Sequence, residues 1–288
     1  MSEEYQFVGG WGANLNSESN NIDRWTSYTN HRDIISSMVT KFAPSNAESL
    51  CVLGAGVCLD LDLQKLVGEF SEISLLDLSS QMLGDGVKHQ QQKRKLSASD
   101  VERIKLIGNC DLTGVHRVLQ KLSEQPGPIE NHQLDSVFDT MENYSPPGME
   151  TYDCVVSTCV LSQLLSHVND TLGDDHPRFI ELVKAVRKKH CEILVDSLKP
   201  NGCGFLITDF VSSESLPELY NTTDLKTCVA DAVKDHNHLH GLNPAMVTQV
   251  FNSAEIRAKI NSLHLTAPWR WVMPERIYAC FALTFVKN

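Results

Sequence analysis

The chain has 288 residues, 42% of them apolar, and sets 25 Lys and Arg against 36 Asp and Glu for a formal net charge of −11. That is ample material for a core, and the charge excludes the basic surface that a nucleic acid or an anionic membrane needs. Nine cysteines without a C-x-x-C pair, no signal-like segment in residues 1–12 and no apolar run near the roughly 18 residues of a membrane span point to a cytoplasmic protein with reduced thiols.

Residues 1–20 are polar and glycine-rich and read as a loop or mobile arm. Residues 21–42 carry Ile34, Ile35, Met38, Val39 and Phe42 at helical spacing, and Pro44 ends that helix. Strand 1 is expected over 49–53, a helix over about 60–70 and strand 2 over 72–76. Residues 80–102 read as a polar helix and loop whose run from Lys88 to Lys95 is a solvated face. Strand 3 follows at 104–107, a helix at 113–123, and a loop rich in Pro, Gly and acids to about 150. Strand 4 at 152–157 is apolar enough for the centre of a parallel sheet. A helix over about 176–199 leads through Pro200-Asn201-Gly202 to strand 5 at 204–208. Residues 224–263 look helical, and the runs 269–273 and 277–285, split by Pro274-Glu275-Arg276, read as an antiparallel hairpin.

Strand 1 stops at Gly54-Ala55-Gly56. A strand that ends in glycines and enters a helix brings backbone close to a ligand where a Cβ would block it. Asp77 ends strand 2 about 20 residues later, the spacing at which a carboxylate grips a ribose diol. Together they indicate a nucleotide-like ligand. A dinucleotide fingerprint needs a small residue where Leu59 stands, and no P-loop lysine follows.

The glycine turn is similar to the first motif of class I S-adenosylmethionine (AdoMet) methyltransferases, and LKPNGCGFLITD, residues 198–209, is similar to their "LKPGG" stretch. Cys58 stands where their third glycine is usual, and no acid precedes Gly54 in the strand. The resemblance covers nearly everything beyond about residue 45. It implies a seven-stranded, mostly parallel α/β sheet in the order 3-2-1-4-5-7-6 with the last strand antiparallel and helices on both faces. Residues 1–42 would form an arm and a helical lid, and 43–288 one AdoMet-binding domain with inserted caps at about 113–150 and 210–262.

It also implies roles. Leu53, Gly54, Ala55 and Gly56 would approach the methionine part of AdoMet by backbone. Asp77, with Leu78, would take the ribose. Asp111, with Leu112, would meet adenine, although Asp111 equally reads as the cap of the next helix. Asp60 would meet the cofactor's amine, or simply favour a helix N-terminus. Ser157 and Gln163, at and after the end of strand 4, are candidate pocket residues; the alternative is loop capping. Tyr28 and His31 on the lid helix would touch the sulfonium or the acceptor; the alternative makes Trp25 and Tyr28 packing residues and Arg32 a surface charge. His236, His238 and His240 alternate without partners at metal-site spacing, so no metal is expected. The expected activity is methyl transfer to a small-molecule N, O or S acceptor by a monomer or homodimer. An AdoMet- or nucleoside-binding protein without transferase activity and an NAD(P)-dependent oxidoreductase are the rival readings.

Overall fold

The computed structural model describes residues 24–94 and 96–288, so the expected arm over 1–20 lies outside the described residues. Five parallel strands form the body of the sheet: β1 (Ser49–Leu53), β2 (Glu72–Leu76), β3 (Ile104–Ile107), β4 (Tyr152–Thr158) and β5 (Leu198–Ser212). They are followed by β6 (Ile260–Leu265), β7 (Trp269–Val272) and β8 (Ile277–Lys287), with β8 antiparallel to β5. The order is β3-β2-β1-β4-β5-β8-β6, and β7 also pairs with β8.

The strand beyond β8 is therefore one edge strand in two pieces. β6 runs along β8 until Leu265 meets Leu283, and β7 resumes where Trp269 meets Cys280. Thr266 splices them: its N–H donates to the Ala282 carbonyl and its Oγ1 accepts from the Ala282 N–H, both at 2.9 Å. Pro268, which cannot donate, falls in the gap on the open edge. With β6 and β7 counted as one, the order is the expected seven-stranded one.

Alternation along each strand sorts the core into two layers. On one face Leu50, Val52, Cys154, Val156, Phe205 and Ile207 pack under α1 (Thr29–Phe42), α2 (Leu63–Val67), α3 (Ser80–Arg94) and α4 (Ala98–Val101). On the other, Leu53, Val155, Leu206 and Phe281 pack under α5 (His116–Ser123), α6 (Asn131–Glu142), α7 (Val160–Leu172) and α8 (Phe179–Asp196). The same layer continues under α9 (Leu225–Lys234), α10 (Pro244–Phe251) and α11 (Ala254–Arg257). Helices α6 and α7 occupy stretches that the sequence reading left without a helix, and β6 replaces the end of the expected helix over 224–263. No described helix is long and apolar enough to cross a membrane.

Helix α1 is built into the sheet's face: Ile35 and Val39 are fully buried in that core, and only its first turns reach the strand ends. The lid expected over the cleft is thus confined to the neighbourhood of Tyr28 and His31.

Candidate active site at the strand ends

Strands β1 and β4 are neighbours whose connections leave in opposite directions, the point at which open α/β sheets bind ligands. The turn after β1 is tied to β2. Gly54 N–H and Ala55 N–H both donate to the Leu76 carbonyl, at 2.9 and 3.0 Å, and Gly56 N–H donates to Asp77 Oδ2 at 2.9 Å. These donors are spent inside the protein, so the turn offers a ligand a bare surface rather than a row of N–H groups. The two glycines differ. Gly54 has φ +69° and a Cβ there would lie 2.4 Å from Val160 Cβ, so it is small because α7 packs on it. At Gly56, φ +49°, the nearest atoms to an added Cβ are Met82 Cε at 3.7 Å and Asp77 Oδ2 at 4.0 Å, so the requirement there is the backbone angle rather than room for the side chain. Cys58, where a glycine is usual, takes φ +55° itself.

Asp77 Oδ1 accepts from Ser79 N–H at 3.0 Å. Each oxygen thus spends one acceptor site on backbone and keeps another. Burial pushes the Asp77 carboxyl above the ordinary range, against the pull of those N–H groups.

The loop after the turn is clamped from both sides, by Arg32, which the alternative reading put on the surface, and by Gln90, which lies in the stretch read as a solvated face. Arg32, 1% exposed, donates to the Leu59 carbonyl at 3.2 Å, with Trp25 stacked 3.6 Å from its guanidinium carbon. Gln90, fully buried on α3, donates to the Cys58 and Leu61 carbonyls at 2.6 and 2.8 Å and accepts from Leu63 N–H at 2.9 Å. The supposed solvated face of that helix therefore holds an anchor. Asp62, not Asp60, caps α2 through Lys65 N–H.

Asp60 instead points inward. Its Oδ1 is buried without a hydrogen bond, 3.6 Å from His31 Nε2. Burial, and repulsion from Asp209 on β5, raise its carboxyl to about 7; Arg32 opposes this. Asp209, 3% exposed, is raised to about 6, chiefly by burial. Its Oδ1 accepts from Ser162 Oγ at 2.5 Å.

His31 cannot act as a base in this arrangement. Trp269 Nε1, which can only donate, bonds His31 Nδ1 at 3.0 Å, so the ring proton sits on Nε2 and no lone pair is left. Burial then holds the imidazole down at about 3. The ring is stacked on Trp271, 4.7 Å away and 14° from parallel, and Tyr28 meets Trp271 edge-on at 5.2 Å. Tyr28, 6% exposed and raised well above the ordinary phenol range by burial, is likewise a packing residue of this corner.

Other expected residues lie elsewhere. Ser157 faces the opposite layer, where its Oγ meets His190 Nε2 of α8 at 2.7 Å, both residues fully buried. It shares its face with Val155, two residues back, as strand alternation requires. Asp111 is occupied by the turn before α5, whose cap is Val115: its oxygens accept from Thr113, Gly114 and His116 N–H groups at 3.0, 2.9 and 2.8 Å. Leu53 and Leu112 are core residues, 0% and 4% exposed, while Leu78 is half-buried beside Asp77. Gln163 does line a cavity of about 250 Å³ with Asp209, Glu214, His240, Trp271 and Tyr278. His240 thus separates from His236 and His238, and among the described residues no three His, Cys, Asp or Glu side chains group as a metal site.

No protein-family profile matches the chain, and no curated protein matches it in sequence. Among solved structures it is similar to magnesium protoporphyrin IX methyltransferase from Synechocystis PCC 6803, 11% identical at a TM-score of 0.45 over 94% of this chain and 85% of that one. It is similar to the methyltransferase domain of bacterial CtHen1, 14% identical, TM-score 0.45, over 93% and 99%. It is also similar to the YcgJ protein of Bacillus subtilis, 10% identical, TM-score 0.44, over 88% and 97%. These are distant likenesses of fold.

Proposed function

We propose that the chain is an AdoMet-dependent methyltransferase that acts on a small-molecule acceptor. The observation that carries this reading is the joint formed by Gly56 and Asp77 at the ends of adjacent strands, next to the switch point between β1 and β4. Gly56, without a side chain, lies against a carboxylate that keeps an acceptor site on each oxygen, the chemistry a ribose diol needs. The buried, unbonded Asp60 Oδ1 suits the cofactor's cationic amine, and supplies the acid that β1 lacks.

When bound, AdoMet supplies a methyl carbon that already carries its leaving group. The protein has only to position the acceptor and keep water out. Asp77 orients the ribose, the turn fixes the methionine part, and the cavity after β4 and β5 holds the acceptor. Calorimetric titration with AdoMet, S-adenosylhomocysteine and NADH tests the reading. Binding of the first two and not the third is expected; binding of NADH alone would replace it with the oxidoreductase. A labelled-methyl assay on metabolite pools then separates an enzyme from a silent binder.

A further inference from the structure

We propose that the cavity where β4 and β5 end and β8 begins takes a protonated amine, held by Asp209 beside the rings of Trp271 and Tyr278. This rests on the methyltransferase reading above and names the acceptor's class.

The cavity, about 250 Å³, is slightly smaller than most ligand pockets, which run roughly 300–1,000 Å³, so the acceptor it suits is small. Two carboxylates line it, and they are not equivalent. Glu214 is answered by Arg276, 2.8 Å away. Asp209 has only the Ser162 hydroxyl on Oδ1, and no donor among the described residues bonds its Oδ2. Among its neighbours is another carboxylate, Asp60, which its charge disfavours. A negative charge 3% exposed and without a cation is costly, and a cationic ligand removes that cost.

The walls agree. The rings of Trp271 and Tyr278, packed on each other at 5.6 Å and 35°, line the cavity with Asp209, and aromatic rings attract an ammonium group. Trp271 is fixed from behind by the His31 stack and the Tyr28 edge, so the wall is set before a ligand arrives. Trp271 Nε1 is buried without a hydrogen bond in a residue 6% exposed, a donor waiting for a polar substituent. An anionic acceptor fits poorly, because the one Lys or Arg among the lining residues, Arg276, is engaged by Glu214.

Asp209 then has a second task. An ammonium nitrogen has no lone pair to offer. Transfer of one N–H proton to Asp209 Oδ2 leaves a neutral amine with its lone pair free and a neutral carboxylic acid beside it. Asp209 is in this sense a catalytic residue, and His31 and Tyr28 are positioning residues for the wall.

The test titrates benzylamine, benzyl alcohol and benzoate, one ring with three charges, into the full chain with and without S-adenosylhomocysteine. Benzylamine is expected to bind at least tenfold more tightly than either isostere. Asp209→Asn should weaken benzylamine by roughly tenfold or more and leave the S-adenosylhomocysteine affinity within about threefold. The proposal is overturned by absent benzylamine binding, by benzoate or benzyl alcohol binding equally well, or by an Asp209→Asn protein that binds benzylamine unchanged. The isostere comparison is made on the wild-type chain and stands even if the variant does not fold. Benzylamine binding without S-adenosylhomocysteine binding would overturn the methyltransferase reading and leave the amine site in place.

Discussion

Two carboxylates at the strand ends behave differently because their surroundings do. Asp77 is half-buried and bound by two N–H groups, so its charge is supported and ready for hydroxyls. Replacing it with Asn keeps the shape and removes the charge. We expect AdoMet affinity to fall roughly tenfold to a hundredfold, the loss of a charge-assisted hydrogen bond; unchanged affinity in a calorimeter would exclude the ribose contact. Asp60 has the opposite problem. It faces His31, which is neutral, the guanidinium of Arg32 and the carboxylate of Asp209, and its carboxyl is raised to about 7. Below about pH 4 it is protonated in both folded and unfolded chains. Between about pH 4 and pH 7 the unfolded chain ionises and the folded one does not, so stability present in acid is lost as pH rises. Asp60→Asn should therefore raise the melting temperature of the ligand-free protein at pH 8 by roughly 5 °C and change it little at pH 4. Equal shifts at both pH values would mean that the carboxylate is not strained by burial.

Helix α3 approaches the loop after the glycine turn because Gly86 has no side chain. A Cβ there would lie 2.6 Å from the Val57 carbonyl carbon and oxygen, main-chain atoms that cannot swing aside. Gly86→Ala is expected to cost roughly 1–3 kcal/mol, with a fall in melting temperature and weaker AdoMet binding, since the displaced segment adjoins Gly56. A scanning calorimeter and the same titration check both. The strands were legible from their apolar runs, and Gly54, Gly56 and Asp77 from their spacing. Helix α7 was not, because it follows β4 at once and its cap position is Cys159 in a left-handed conformation with no capping side chain. Helix α6 starts on a capping box made by Glu130 and Gln133, not by Ser or Thr. Strand β6, INSLHL, is half-solvated edge and lacks the continuous apolar run of a central strand. The burial of Gln90 has no local signal, since it answers carbonyls about 30 residues away in sequence; Arg32 joins a carbonyl as distant to the local Trp25 carbonyl and ring. Ser157 was within reach, since alternation from Val155 already assigns it to the α8 face.

The molecule is one sheet whose ligand surface lies at the carboxyl ends of its central strands, between two layers of helices, so occupancy of that surface should be felt by the whole fold. A ligand that binds only the folded chain at a concentration of 100 Kd adds about 2.7 kcal/mol. AdoMet should accordingly raise the melting temperature by roughly 5–10 °C, a shift that the weaker binding of Asp77→Asn cuts to about half or less at the same concentration; an unshifted transition of the wild-type chain at saturating AdoMet would count against the site. The aromatic corner has one more use. Of the four tryptophans in the chain, Trp11 lies outside the described residues, and the other three converge on the cleft: Trp25 stacks on Arg32 and so on the clamp of the turn, Trp269 bonds His31, and Trp271 walls the cavity. Ultraviolet emission from this protein therefore comes largely from the neighbourhood of its own ligands, and the chain is its own optical reporter: intensity and wavelength will follow occupancy of either compartment in real time, with no label attached.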